Sequence, residues 1–119
     1  LAFEGLDDEL YVQGDEVLLR ELLINLIDNA MNYSGINGNI IVKLNSNPRP
    51  CLTVEDDGVG IPESETNKIF ERFYRIPSST GNGCGLGLAI VKEIADLHNA
   101  RIQLKKSEFK SGTRIDLIF

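Results

Sequence analysis

The chain has 119 residues, 42% of them hydrophobic and 25% charged, and a net charge of −6. That length bounds the chain to one domain able to bury about two-thirds of its unfolded surface. It carries neither a signal peptide nor an apolar run of the ~20 residues a membrane span needs, and its acidity excludes a general nucleic-acid-binding surface. The two cysteines, Cys51 and Cys84, have no metal-site spacing and form no disulfide framework, which reads as a reducing compartment. A start at Leu1 without Met reads as a piece cut from something longer.

Leu1 to Gly5 and Leu10 to Gln13 read as short strands around the acidic turn at residues 6–9. Gly14-Asp15 opens a helix running to about Tyr33, with Asp15 as N-cap and Glu16 complementing the helix dipole. Its broad apolar face comprises Val17, Leu18, Leu22, Leu26 and Ala30, joined by Leu19, Leu23, Ile27 and Met31. Asn39 to Asn45 and Cys51 to Glu55 alternate as paired strands across an Asn-Pro-Arg-Pro turn. Thr66 to Tyr74 predicts a short helix, Leu88 to His98 a longer one, and residues 101–106 and 113–119 a closing strand pair turning near Gly112. Interleaved helices and hairpins predict an α+β two-layer sandwich.

Three stretches carry the chemistry. On the first helix Glu21, Asn25 and Asn29 are spaced by four, with Asn32 three further on, so they share one side. Asn is a poor helix-interior residue and solvated faces usually carry Lys, Glu and Arg, so the stripe reads as functional. Asn oxygens can ligand Mg²⁺, which completes its octahedron with phosphates and water. In the second stretch, residues 56–61, the strand-end carboxylate of Asp56 can accept from an exocyclic amine such as adenine N6. Gly58 and Gly60 there let backbone approach a flat ring on which Ile61 packs. A tight acidic turn is the other reading; an EF-hand lacks its further ligands.

The third stretch is the run Gly83-Cys84-Gly85-Leu86-Gly87-Leu88, a glycine loop entering a helix. Free N–H groups and the positive end of the helix dipole favour an anion there. A flexible loop with a softened helix start is the alternative. No Lys follows where a P-loop needs one, and Leu88 occupies the place of the third glycine of a dinucleotide fingerprint.

Together these stretches resemble the boxes of sensor histidine kinases. Glu21 and Asn25-Leu26-Ile27-Asp28-Asn29-Ala30 resemble the N box, and residues 54–62 the G1 box. Ile69-Phe70-Glu71-Arg72-Phe73-Tyr74-Arg75 is similar to the F box and residues 83–91 to the G2 box. They occur in family order. The resemblance implies a Bergerat fold: a mixed, mostly antiparallel sheet with about three helices on one face, in one catalytic domain spanning residues 1–119. It also implies ATP and Mg²⁺ as cofactors, and transfer of the γ-phosphate to a histidine on a separate dimerisation domain, with a response regulator downstream.

In site terms, the resemblance gives Asn25 to Mg²⁺, Asn29 to the phosphates and Tyr33 to the pocket lining. Asp56 would take adenine N6, with Gly58, Gly60 and Ile61 shaping the base pocket and Thr113 helping through water. Gly83, Cys84, Gly85, Leu86, Gly87 and Leu88 would form the phosphate loop and helix start. Arg72 and Arg75 would contact phosphate or a partner, and Phe70 and Phe73 would anchor the lid. Residues 77–83 are expected to be disordered without nucleotide. Glu21 sits where related ATPases keep a water-activating base, a role a kinase does not want.

Two departures stand out. Asn32 occupies a slot usually basic in the family, implying modest ATP affinity, and Cys84 one where Ser or Thr is common. His98, the single histidine, lacks an acceptor's surroundings and is expected to be a capping or surface histidine at a helix C-terminus. The acceptor is therefore expected elsewhere, in a parent anchored in the bacterial inner membrane with this domain cytoplasmic. A nucleotide-gated interaction module of the same fold is the alternative function.

Overall fold

A computed structural model describes residues 2–4, 12–34, 38–46, 49–71, 87–109 and 111–119. A five-stranded sheet runs in the order β1-β2-β3-β5-β4. Its strands are β1 (Ala2–Glu4), β2 (Ile40–Asn45), β3 (Cys51–Asp56), β4 (Arg101–Lys106) and β5 (Thr113–Ile118). Among the described residues only β1, parallel to β2, departs from antiparallel pairing. Helices α1 (Glu16–Ser34) and α2 (Gly87–Leu97) pack on each other and on the sheet.

The strand register sorts residues between two faces. Val42, Val54 and Ile115 are successive partners on the face the helices cover, and Leu52 pairs with Leu117 beside them. They meet Leu22, Leu26 and Ala30 of α1 and Leu88, Val91, Ile94 and Ala95 of α2 in one core. The α1 start is capped as its sequence requires: Asp15 Oδ1 accepts from Leu18 N–H at 3.1 Å. His98 caps two helices at once. Its Nδ1 lies 2.8 Å from Ile94 O at the end of α2, and its Nε2 accepts from Asp15 N–H at 3.0 Å at the start of α1. Nδ1 therefore carries the proton. A Cβ on Gly14 would stand 2.5 Å from His98 Cδ2, so the bare glycine makes room for the ring.

The opposite face carries a polar network. Thr53 Oγ1 donates to Asp116 Oδ1 at 2.6 Å, and Arg114 Nε donates to the same oxygen at 2.9 Å. Glu55, 1% exposed, accepts from Ser107 Oγ at 2.8 Å and from Glu108 N–H, with Lys43 Nζ 3.6 Å away. Burial works to raise the pKa of both acids, but these hydrogen bonds and cations outweigh it and hold each below its ordinary value.

Four expectations need correction. Among the described residues there are two α-helices rather than about three. Residues 66–71 form turns after a 3₁₀ turn at Glu63–Glu65. Pro62 starts that segment, and its N–H groups bond three residues back: Glu65 to Pro62, Lys68 to Glu65 and Glu71 to Lys68. This is the tighter 3₁₀ pattern, natural for a stretch of Ser, Thr and Asn. Val12 and Gln13 are irregular rather than strand. Val17 and Met31 are 70% and 55% exposed, because the buried stripe of α1 is narrower than its apolar composition.

Candidate nucleotide site

Asp56 ends β3 on the helix-covered face, where its neighbours along the strand are hydrophobic. It is 3% exposed. Its Oδ1 accepts from Gly58 N–H at 2.9 Å and Thr113 N–H at 3.3 Å. Its Oδ2 has no hydrogen-bond partner among the described residues. Burial raises the Asp56 pKa, opposed by those two N–H groups and reinforced by Asp57 and Glu55. A buried carboxylate with one oxygen committed and one unengaged is a preset acceptor for a donor entering that end of the sandwich.

Glycines make room around it. A Cβ on Gly58 would overlap the Tyr33 carbonyl, so this loop lies directly on the C-terminal turn of α1. Gly60 and Gly112 have φ of +78° and +122°, a region open mainly to glycine. A Cβ on Gly112 would fall within the radius of Asp56 O, and one on Gly60 would stand 3.4 Å from Gly112 O. Asp57 fastens the loop from outside by accepting from Asn39 N–H at 2.9 Å and Asn39 Nδ2 at 2.8 Å. These bonds lower its pKa. Ile61 and Tyr33 are half-buried against the core. Asp56, Gly58, Gly60, Ile61, Tyr33 and Thr113 thus converge at one end of the sheet.

The other end of the site begins at Asn25. Its Nδ2 donates to Glu21 O at 2.9 Å, and a Cβ on Gly87 would lie 3.5 Å from its Oδ1. The N box is therefore in contact with the start of α2. Asn29 is half-buried one turn on, while Glu21 and Asn32 are exposed. From Asn25 to Tyr33 the helix rises ~12 Å, at about 1.5 Å per residue. Leu88 points into the core, 6% exposed, so its contribution at the helix start is backbone alone. Arg72, Arg75, Gly83, Cys84, Gly85, Leu86 and the segment 77–83 lie outside the described residues.

Sequence reasoning gave Asp57 no role, although an acidic residue after a strand is a common loop fastener. It treated Gly112 only as a turn. Nothing local marks the close approach of Gly112 to Asp56, since the two are distant in sequence. Among the described residues no three His, Cys, Asp or Glu side chains gather as a metal cluster. An ion here would lean on the Asn25 oxygen, water and its ligand's own oxygens.

Residues 14–119 match the family of histidine kinase-, DNA gyrase B- and HSP90-like ATPases. The chain belongs to that family. Within it, the chain is a catalytic domain of the sensor histidine kinase type. It is 43% identical over 106 residues to the sensor protein BasS of Escherichia coli K12, covering 89% of this chain and 29% of BasS. It is 36% identical to the sensor histidine kinase WalK of Bacillus subtilis, covering 90% of this chain and 18% of WalK. The chain thus spans less than a third of these relatives. The mycobacterial sensor histidine kinase MprB superimposes with a TM-score of 0.89 at 32% identity, over 99% of this chain and 82% of that one. The catalytic domain of the histidine kinase ThkA, nucleotide-free, superimposes with a TM-score of 0.82 at 30% identity, over 98% and 76%.

Proposed function

We propose that residues 1–119 form one catalytic domain of a longer sensor kinase, which binds Mg-ATP and presents its γ-phosphate to a histidine on a separate dimerisation domain. The observation that carries this reading is Asp56: a buried carboxylate on the apolar face, framed by glycines, with one oxygen unengaged among the described residues. The residues fit the ligand. Asp56 Oδ2 accepts the adenine N6 donor, and Gly58, Gly60 and Ile61 bound the ring. Thr113 sits beside Asp56, where a bridging water would serve both. Tyr33 closes the pocket wall.

Asn25 offers its oxygen to Mg²⁺ and Asn29 faces the phosphates, with the run from Gly83 to Leu88 supplying backbone N–H donors. Arg72 and Arg75 would balance phosphate charge left uncovered by Asn32. Magnesium, when bound, neutralises the phosphates and fixes their geometry for in-line transfer; the protein's work is positioning. Glu21 is exposed and its contact with the site is through its carbonyl, which fits a kinase that does not activate water. Among the described residues no helix is long and apolar enough to cross a membrane. We further propose that the parent is anchored in the bacterial inner membrane with this domain on the cytoplasmic side, and that the phosphate passes on to a response regulator.

Nucleotide selectivity tests the reading. Calorimetry should show ATP binding that strengthens with Mg²⁺, and GTP binding at least about tenfold weaker, because a 6-oxo group would set an acceptor against the Asp56 carboxylate. Equal affinity for both nucleotides would refute the assigned role of Asp56.

A further inference from the structure

Glu55 lies outside the base pocket, yet it is 1% exposed and holds the turn that joins β4 to β5. Alternation along β3 sends its carboxylate to the opposite face of the sheet from that of Asp56. There Oε2 accepts from Ser107 Oγ at 2.8 Å and from Glu108 N–H, which form the near leg of the turn. Lys43 Nζ lies 3.6 Å from Glu55 Oε1 and 3.7 Å from Glu108 Oε2, so one cation joins the acid to the turn. The far leg of the same turn reaches the nucleotide site. Ser107 N–H donates to Gly112 O at 3.3 Å and couples the two legs. Ser111 Oγ donates to Asp57 O at 3.3 Å, and Thr113 N–H to Asp56 Oδ1 at 3.3 Å. Gly112 lies so close to Asp56 O that no Cβ fits between them, and a Cβ on Gly60 would stand 3.4 Å from Gly112 O. The turn therefore bears on both the acceptor and the glycine loop beside it.

We propose that Glu55 is a positioning residue for base selection: by holding Ser107 and Glu108 from the outer face of the sheet, it seats Gly112 and Thr113 against Asp56 and fixes that carboxylate for a 6-amino purine over a 6-oxo one. This role rests on the reading of Asp56 as the acceptor of adenine N6. Two N–H groups hold Asp56 Oδ1, Gly58 at 2.9 Å and Thr113 at 3.3 Å. The Thr113 bond is the longer, so a small retreat of the turn breaks it first. A carboxylate held by Gly58 alone can rotate, and its second oxygen then has no fixed direction toward the base. Glu55 acts from the face the nucleotide does not touch, so its loss removes no contact with the ligand. The phosphate end, at Asn25 and the start of α2, stands on other elements than this turn.

Calorimetry of the 119-residue chain with ATP and with GTP reads the ratio of the two affinities, and thermal unfolding checks the fold of each variant. Glu55→Ala should lower ATP affinity at least about fivefold and leave GTP affinity within about twofold, so the ratio falls. Ser107→Ala removes one of the two bonds at a half-buried position and should lower the ratio about threefold; it decides the matter if Glu55→Ala does not fold. Glu55→Gln keeps an oxygen for both donors and should retain the wild-type ratio. A purely structural role would lower both affinities alike and leave the ratio where it was. An unchanged ratio in the folded Ala variants, equal losses for ATP and GTP, or a Glu55→Gln as impaired as Glu55→Ala overturns the proposal. Wild type that binds ATP and GTP equally instead removes the role of Asp56, and that of Glu55 with it.

Discussion

Replacing Asp56 with Asn should separate the proposed binding from folding. The amide retains an oxygen for Gly58 N–H and Thr113 N–H, now 2.9 and 3.3 Å from Oδ1, but puts an NH₂ where Oδ2 stands. Because burial raises the Asp56 pKa, the ionised carboxylate is a burden on the fold, and the neutral amide should leave the protein at least as stable. Binding changes the other way. A hydrogen bond to a charged acceptor contributes about 1.5–3 kcal/mol, and leaving the N6 donor against another donor adds about 1–3 kcal/mol. Together that is roughly 2.5–6 kcal/mol, or a ~10²–10⁴-fold weaker affinity. Calorimetry with ATP reads the affinity and thermal unfolding reads the fold. If Asp56→Asn bound ATP within about threefold of wild type, the carboxylate would not be the base acceptor; if it lost its fold, Asp56 would be a structural acid.

Acid acts on the same group. Protonation removes the acceptor, so ATP affinity should fall as pH drops through the raised Asp56 pKa, earlier than for an ordinary aspartate near ~3.9. Fluorescence titrations between about pH 4 and 7 check it, and affinity flat over that window would contradict it. Glu55 and Asp116 behave oppositely: their folded pKa values lie below normal, so their stabilisation is complete above the unfolded values of ~4 and is lost as pH falls through the folded ones. Asp116→Asn, which weakens the bonds from Thr53 and Arg114, should cost about 1–3 kcal/mol at pH 7 and much less near pH 2, measured by urea unfolding. Gly112→Ala should cost at least ~3 kcal/mol or prevent folding, since φ +122° and the Asp56 carbonyl both reject a Cβ; a wild-type melting temperature would contradict that. His98→Ala uncaps both helices and should cost at least about 1–2 kcal/mol by thermal unfolding, while leaving ATP affinity unchanged.

The fold was legible where local pattern and tertiary demand agree. Alternation placed β2 and β3 to within a residue, and the Asp15 cap fixed the start of α1 because its side chain serves the adjacent turn. Expectation failed after Pro62, where short polar residues met no apolar period to sustain a helix, and at Val17 and Met31, where apolar residues face solvent. For the candidate site, residue type and spacing singled out the stripe of Asn25 and Asn29 and the strand-end Asp56 as candidates. The contact of Asn25 with the start of α2, the close approach of Gly112 to Asp56 and the double cap of His98 join residues far apart in the chain. No local signal records them.

The most direct test of the central claim is phosphoryl transfer. The chain would be incubated with γ-labelled ATP, Mg²⁺ and the histidine-bearing dimerisation domain proposed for its parent. The account predicts acid-labile, base-stable label on that domain and none on this chain, with little free phosphate. ATP cleaved to ADP and free phosphate with the acceptor unlabelled, or label retained on His98 of this chain, would contradict it.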